Sequence, residues 1–189
     1  MKENKTFIHS TSVVSEDSTI GTGSKIWHFS HIFGGSSIGK NCIIGQNVMI
    51  GPGVKIGNGC KIQNNVSIYQ GVILEDEVFC GPSCVFTNVK NPRAFINRKN
   101  EFKKTIIRKG ASIGANSTLI CGIEIGRYAL IAAGALVSKN VKPFSLMIGI
   151  PAKFKGWVSE AGEILKKNLV CPRTGKKYVE KKGDLYFIN

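Results

Sequence analysis

Few side chains in this sequence are equipped for acid–base chemistry. His9, His28 and His31 are the only histidines, and imidazole is the side chain whose ordinary titration suits a general base near neutrality. Asn88 stands in Thr87-Asn88, at the head of the basic stretch TNVKNPRAFINRKNEFKKT (87–105). A carboxamide hydrogen-bonds without taking up a proton, so Asn88 can orient a reacting group but cannot deprotonate it. The same residue type also suits a plain turn. Glu75 follows the apolar Leu74 and so faces outward, where it can hold a polar group or simply meet solvent. Arg93 comes after Asn91-Pro92. A guanidinium grips a carboxylate or phosphate through paired hydrogen bonds, and proline limits the backbone before it. Arg98, Lys99, Lys103 and Lys104 read as a general basic face. A metal centre is not expected: zinc needs ligands gathered around one cleft, and His28 and His31 are only three residues apart. The six cysteines, Cys42, Cys60, Cys80, Cys84, Cys121 and Cys171, form no CxxC pair and read as small packing residues.

The support for these groups is a repeat of six residues. Stepping by six from Ile8 meets Val14, Ile20, Ile26, Ile32, Ile38, Ile44, Ile50, Ile56, Ile62, Ile68, Leu74, Cys80 and Phe86. Two residues before each stands a small residue or valine, from Ser18 and Ser24 to Val78 and Cys84. Neither a helix nor a single long strand has this period. A short strand plus a turn does, and three such units close a triangular coil of 18 residues, with position i under i+18 about 4.8 Å higher. This is the hexapeptide pattern of parallel β-helices. Cys42 then lies under Cys60 at a site that admits only small side chains. After Phe86 the register breaks and resumes at Ile107, a step of 21 residues, read as 18 plus 3. Some of residues 87–105, about 88–105, must leave the coil as a loop, and such loops are commonly functional. Residues 1–150 read as the β-helix domain and 151–189 as a C-terminal tail. Within that tail, 157–167 reads as a short amphipathic helix, and the segments 169–178 and 186–188 read as a hairpin around Gly175 or Gly183. The expected class is all-β: a parallel β-helix with an extruded loop, plus a short C-terminal helix and hairpin.

The chain has 189 residues and 26 Lys and Arg against 12 Asp and Glu, a net charge of +14. That balance favours anionic partners such as nucleic acid, phosphorylated metabolites or acidic lipid. No nucleic-acid module is present, and the aromatics are mostly not interleaved with the basic residues, so nucleic acid is not the expected partner. No apolar run is long enough to cross a bilayer and the first residues are polar, so neither membrane insertion nor export is expected and the reducing cytoplasm is the expected compartment.

Three motifs carry a family resemblance: WHFSH (27–31), KIQNNVSIYQGVILEDEVFCGPSCVFTNVKNPR (61–93) and IGIPAK (148–153). Together they resemble the hexapeptide-repeat N-acetyltransferases of 3-amino sugars on nucleotide carriers, most closely those acting on UDP-2-acetamido-3-amino-2,3-dideoxy-glucuronate in bacterial surface-polysaccharide (lipopolysaccharide O-antigen) synthesis. The resemblance implies a left-handed β-helix, acetyl-CoA as co-substrate, and a homotrimer with sites between subunits. It supports Asn88 at the substrate amine; from their own chemistry, Glu75 is expected to hold that amine or a sugar hydroxyl, and Arg93 a hexuronate carboxylate or a phosphate. Ala132, Ala133 and Gly134 would lie along the pantetheine arm, with Ile150 and Lys153 near its nucleotide end. Many hexapeptide acyltransferases carry a histidine base in the extruded loop. This loop has none, which fits the amino-sugar branch, where the amine is already a good nucleophile. His28 lies 60 residues before Asn88, roughly 16 Å along the axis at about 4.8 Å per coil. Trp27, His28 and His31 are therefore expected on the nucleotide side or in trimer packing. Two other readings remain: an acetyltransferase for dTDP-3-amino-3,6-dideoxyhexoses, and a non-enzymatic β-helical binding protein.

Overall fold

The computed structural model describes residues 5–188. Strands of mostly two residues stack into three sheets of nine, seven and six strands, parallel throughout except for the last strand of the first, Lys153–Trp157. The sheets are the faces of a triangular, left-handed β-helix of about eight coils. The first face contains Lys25–Ile26, Ile43–Ile44 and Lys61–Ile62. The second contains His31–Ile32, Met49–Ile50 and Ser67–Ile68. The third contains Ser37–Ile38, Lys55–Ile56 and Val72–Leu74. Paired residues below the loop are 18 apart, as in Ile26↔Ile44 and Ile32↔Ile50. The hexad positions thereby become three buried columns: Ile26, Ile44 and Ile62; Ile32, Ile50 and Ile68; Ile38, Ile56 and Leu74. Each such side chain contributes about 1.5–3 kcal/mol by leaving water.

The corners explain the small residues. Ser24 Oγ donates to the Gly39 carbonyl at 2.7 Å, Cys42 Sγ to Gly57 at 3.1 Å, and Cys60 Sγ to Glu75 at 3.1 Å. Each turns inward at a corner and bonds the backbone of the coil above, where nothing larger fits. All six cysteines are free and buried. At Gly39, just after an interior isoleucine, an added Cβ would meet the Gly57 carbonyl carbon at 2.6 Å, so this corner position admits no side chain. Asn47 and Asn65 take positive φ (54° and 62°) at successive coils, a conformation asparagine tolerates better than most residues. Their carboxamides meet at 3.3 Å.

Three expectations change. Leu74 pairs with Ile107, 33 residues on, so the loop inserts 15 residues into a normal 18-residue coil, and the step from Phe86 is one hexad plus 15. The coil resumes at Thr105, the first residue of the strand Thr105–Ile107, so the loop ends one residue earlier than expected. Residues 157–167 are not a helix. Trp157 ends the strand Lys153–Trp157, which runs antiparallel to Ser145–Ile148. Beyond it the chain turns back through Gly162 (φ +77°), with Val158 bridged to Ile164 and Leu165 N donating to the Trp157 carbonyl at 2.9 Å. Closing the open end of the solenoid outweighs the helical apolar spacing. The C-terminal hairpin pairs Tyr178–Lys181 with Asp184–Phe187 and turns at Lys182 and Gly183; Gly175 serves a separate turn, its N–H donating to the Cys171 carbonyl. Phe144, Trp157, Leu165, Cys171, Tyr178 and Leu185 form a second core there.

The corner column predicts how substitutions behave. Cys42→Ser keeps a donor for the Gly57 carbonyl and should change stability by under about 1.5 kcal/mol. Cys42→Leu overfills the corner and should cost about 1–3 kcal/mol, read as a shift in the urea midpoint at constant slope. Equal midpoints for the two variants would contradict the packing described.

Candidate active site

The loop leaves the solenoid between the second and third faces. Its neck is closed by Lys103 N donating to the Asn88 carbonyl at 2.9 Å. Thr87 Oγ1 ties the neck to the coil above, donating to Leu119 O at 3.2 Å and accepting from Cys121 N at 2.8 Å. The Asn88 carboxamide makes no hydrogen bond among the described residues, so both its oxygen and its amide protons are free for a ligand. A cavity of about 380 Å³ runs from Asn88 toward the lower coils, past Tyr69 and Met49 to Phe33, with Lys99 and Phe102 as its loop wall. A second, of about 360 Å³, runs from Asn88 and Tyr69 toward the upper coils, past Val85 to Ile120. Asn88 and Tyr69 line both.

His31 lies outside the first cavity, its ring stacked on Phe33 at 3.9 Å between centroids. Trp27 and His28 are on a different corner, between the first and second faces, around a shallow cavity of about 260 Å³ with Gln46 and Asn64. There the His28 ring is tilted against His9 at 3.6 Å between centroids. Ala132, Ala133 and Gly134 form a higher step of that same corner, with Gly134 N donating to Ala115 O. Ile150, 75% exposed, sits in the turn leading to the strand Lys153–Trp157, which Lys153 begins. This turn is tied to the last strand of the second face, Ala152 N donating to Leu136 O at 2.8 Å. The cofactor candidates and Asn88 thus flank opposite edges of one face.

Arg93 turns away from Asn88. Its Nη1 donates to the Pro92 carbonyl at 3.0 Å, and it lines a separate cavity at the loop tip with Phe95. Glu75 is on the third corner, between the third and first faces. Its carboxylate takes Arg108 Nη1 at 2.7 Å and Lys109 N at 2.9 Å. Arg108 also grips Glu124 through two bonds of 2.8 Å, which hold the Glu124 carboxyl below the usual carboxylate range. Within one subunit Glu75 and Asn88 are therefore not brought together. Phe33, Met49, Tyr69 and Phe102 were not among the residues singled out from the sequence, and Lys99 was read only as part of a general basic face. A signal existed for some of them: Phe33, Gly51, Tyr69 and Thr87 stand 18 apart, the column that leads to Asn88. Among the described residues no group of three or more His, Cys, Asp or Glu gathers as a metal site, and no helix is long and apolar enough to cross a membrane.

Residues 35–70 and 104–139 match the family described as bacterial transferase hexapeptide (six repeats). These two blocks, on either side of the inserted loop, resemble the repeats of that family. Among curated proteins, this chain is 42% identical over 80 residues to the dTDP-3-amino-3,6-dideoxy-alpha-D-galactopyranose 3-N-acetyltransferase of Aneurinibacillus thermoaerophilus, covering 41% of each chain. Among solved structures it resembles a UDP-N-acetylglucosamine acyltransferase of Bacteroides fragilis, with a TM-score of 0.68 and 22% identity over 81% of this chain and 61% of that one. It also resembles the acetyltransferase domain of PglB from Neisseria gonorrhoeae in complex with acetyl coenzyme A, with a TM-score of 0.54 and 17% identity over 81% and 58%. The chain spans less than two thirds of the length of each.

The Arg108 pairs carry a pH dependence. Glu124 has a depressed carboxyl pKa in the folded chain, so its contribution is complete above the unfolded value of about 4.3. It is lost as pH falls through the lower folded value. Thermal melts from pH 7 to pH 3 should show Glu124→Gln less stable by about 1 kcal/mol or less at neutral pH, since the pair is half exposed. The two proteins should converge at the acid end; a gap that widens on acidification would contradict this.

Proposed function

We propose that this chain is an acetyl-CoA-dependent N-acetyltransferase that acylates the 3-amino group of a nucleotide-linked amino sugar, UDP-2-acetamido-3-amino-2,3-dideoxy-glucuronate, in cytoplasmic steps of surface-polysaccharide synthesis. The observation that carries the reading is the free Asn88 carboxamide at the meeting point of two cavities. One extends over the lower coils and suits a sugar; the other extends toward the upper coils and suits a thioester. The relative from Aneurinibacillus is named for the same transfer to a 3-amino sugar, and PglB's domain was solved with acetyl coenzyme A.

Amide formation needs a neutral amine held in line with the thioester carbonyl. The Asn88 oxygen accepts from the amine N–H and directs the lone pair at the carbonyl carbon. The nitrogen–carbon bond forms, the tetrahedral centre collapses, and the carbon–sulfur bond breaks. The coenzyme A sulfur leaves as thiolate and takes the proton released by the nitrogen. No histidine lines either cavity, and this route requires none. Glu75, in this reading, serves through its hold on Arg108 or through a neighbouring subunit. Trp27, His28 and His31 serve the nucleotide side, and Ala132, Ala133, Gly134, Ile150 and Lys153 the coenzyme. A homotrimer fits the exposed apolar side chains on the first and second faces, Trp27, Phe79 and Val85 among them.

A second reading, transfer to a dTDP-3-amino-3,6-dideoxyhexose, is favoured by the apolar side chains Phe33, Met49, Tyr69 and Phe102 in the sugar cavity, which suit a C6 methyl. Thiol release from acetyl-CoA with a panel of UDP- and dTDP-3-amino sugars separates the two. Absence of turnover on every 3-amino sugar would remove both.

Two outcomes follow for the variants. Asn88→Ala should lower kcat for the sugar about 10- to 100-fold and leave the KM for acetyl-CoA near wild type; full activity would take Asn88 out of the site. His28→Asn and His31→Asn should mainly raise the KM for the sugar nucleotide. A kcat loss beyond about a hundredfold in either, with assembly intact by light scattering, would identify a histidine base.

A further inference from the structure

Lys99 is the one charged residue in the wall of the sugar cavity. Its ammonium has no ion pair among the described residues, whereas the adjacent Arg98 is neutralised by both oxygens of Glu101 at 2.9 Å. Its backbone is held in place. Lys99 begins the short 3₁₀ turn Lys99–Glu101, and its N–H donates to Asn97 Oδ1 at 3.1 Å. The neck bond from Lys103 N to Asn88 O sets this turn against the solenoid. The rest of that wall is largely apolar: Phe33, Met49, Tyr69 and Phe102. Lys99 is exposed and also lines the loop-tip cavity beside Arg93 and Arg98, so its pull on an anion is partly screened by solvent and rests on its place as the one cation of the sugar cavity.

We propose that Lys99 is the specificity-determining residue for the acceptor, holding the carboxylate at C5 of a hexuronate. The inference rests on the acetyl-transfer reading above and deepens it. On a pyranose ring, C3 and C5 are separated by a single carbon. A sugar whose 3-amine meets Asn88 therefore carries its C5 substituent across the same cavity, to the wall that Lys99 supplies. A carboxylate there gains a charge-assisted hydrogen bond; a methyl or hydroxymethyl group leaves the ammonium without its partner. Arg93, the residue expected to take this carboxylate, is bonded to the Pro92 carbonyl and lines only the loop-tip cavity, whereas Lys99 lines both that cavity and the sugar cavity.

The test uses the full chain, its Lys99→Gln and Lys99→Arg variants, and two acceptors that differ only at C6: the UDP-3-amino-hexuronate and its hydroxymethyl counterpart. Lys99→Gln should raise the KM for the uronate about 10- to 100-fold, with kcat within about twofold, and leave the KM for the hydroxymethyl sugar unchanged. Lys99→Arg should restore most of the uronate affinity. UDP itself, as a competitive inhibitor, should bind both proteins alike. An equal loss for both sugars and for UDP would put Lys99 on the pyrophosphate and overturn the proposal, as would an unchanged uronate KM. Calorimetric binding of the UDP-uronate to wild type and Lys99→Gln reads the same contact without turnover. If wild type transfers no acetyl group yet Lys99→Gln loses uronate binding, the transfer reading fails and the Lys99 contact stands.

Discussion

Coil stacked on coil at a fixed 18-residue offset is the constraint on which this molecule depends. The strand hydrogen bonds run between coils, with only short turn bonds such as Ser24 N to Gly21 O and Val54 N to Gly51 O within them, so each strand depends on the coils next to it. Lys25 N finds Cys42 O, Ile43 N finds Cys60 O, and Lys61 N finds Val78 O, at 2.8–2.9 Å. Because the offset is constant, a residue type acceptable at one level is acceptable at the next. The result is columns: isoleucine inside, serine or cysteine at the corners, glycine where two corners touch. Side chains outside the triangle are ordered by the same offset, and that is how Phe33 and Tyr69 come to stand under the neck of the loop.

A solenoid of this kind tolerates an insertion at a corner and nowhere else. Fifteen extra residues between the second and third faces leave Phe79↔Ser112, Val85↔Thr118 and Leu74↔Ile107 in register, because the neck is closed by a backbone bond and a threonine hydroxyl. The insertion supplies what a column cannot: side chains that differ from those of the coils above and below. Asn88, Lys99 and Phe102 break the repetition at one level, and the cavities form where the repeating wall meets the non-repeating loop.

Much of this was legible in the spacing of residues. The unbroken apolar hexads required the coil, the serines and cysteines two positions earlier marked the corners, and Pro92 in an apolar position marked the loop. In the C-terminal tail the hairpin turn at Gly183 was legible, but residues 157–167 were not, because their apolar spacing answers to capping the solenoid. Val158 and Leu165 have helical spacing but are buried through the bridge to Ile164 and the second core. Glu75 shows a different limit. Its outward direction was correctly read from Leu74, but its partner Arg108 lies 33 residues on, across the inserted loop, and the wrong count across the break concealed the pairing. Arg93 was read from its chemistry alone; the bond to the Pro92 carbonyl is a local matter that charge and proline spacing do not encode.

The level of the loop has a consequence for how the site behaves. In the lowest described coil Ile8 is 43% exposed and Val13 60%, and strands with few buried apolar contacts open most easily. The upper end is shielded by the antiparallel strand Lys153–Trp157 and by the second core. Asn88 sits between, on a coil whose neighbours below (Ile62, Ile68, Leu74) and above (Ile113, Leu119, Ile125) are all essentially inaccessible to water. Opening of the lowest coil therefore leaves the geometry around Asn88 intact while it loosens Phe7, His9 and the rings tilted against them, Trp27 and His28. Rigid placement is what an uncharged orienting group such as a carboxamide needs, since its effect on a reacting amine comes from direction and not from proton transfer. The histidine cluster, beside the lowest described coil, has the looser support. That suits binding of an extended ligand better than positioning of a base.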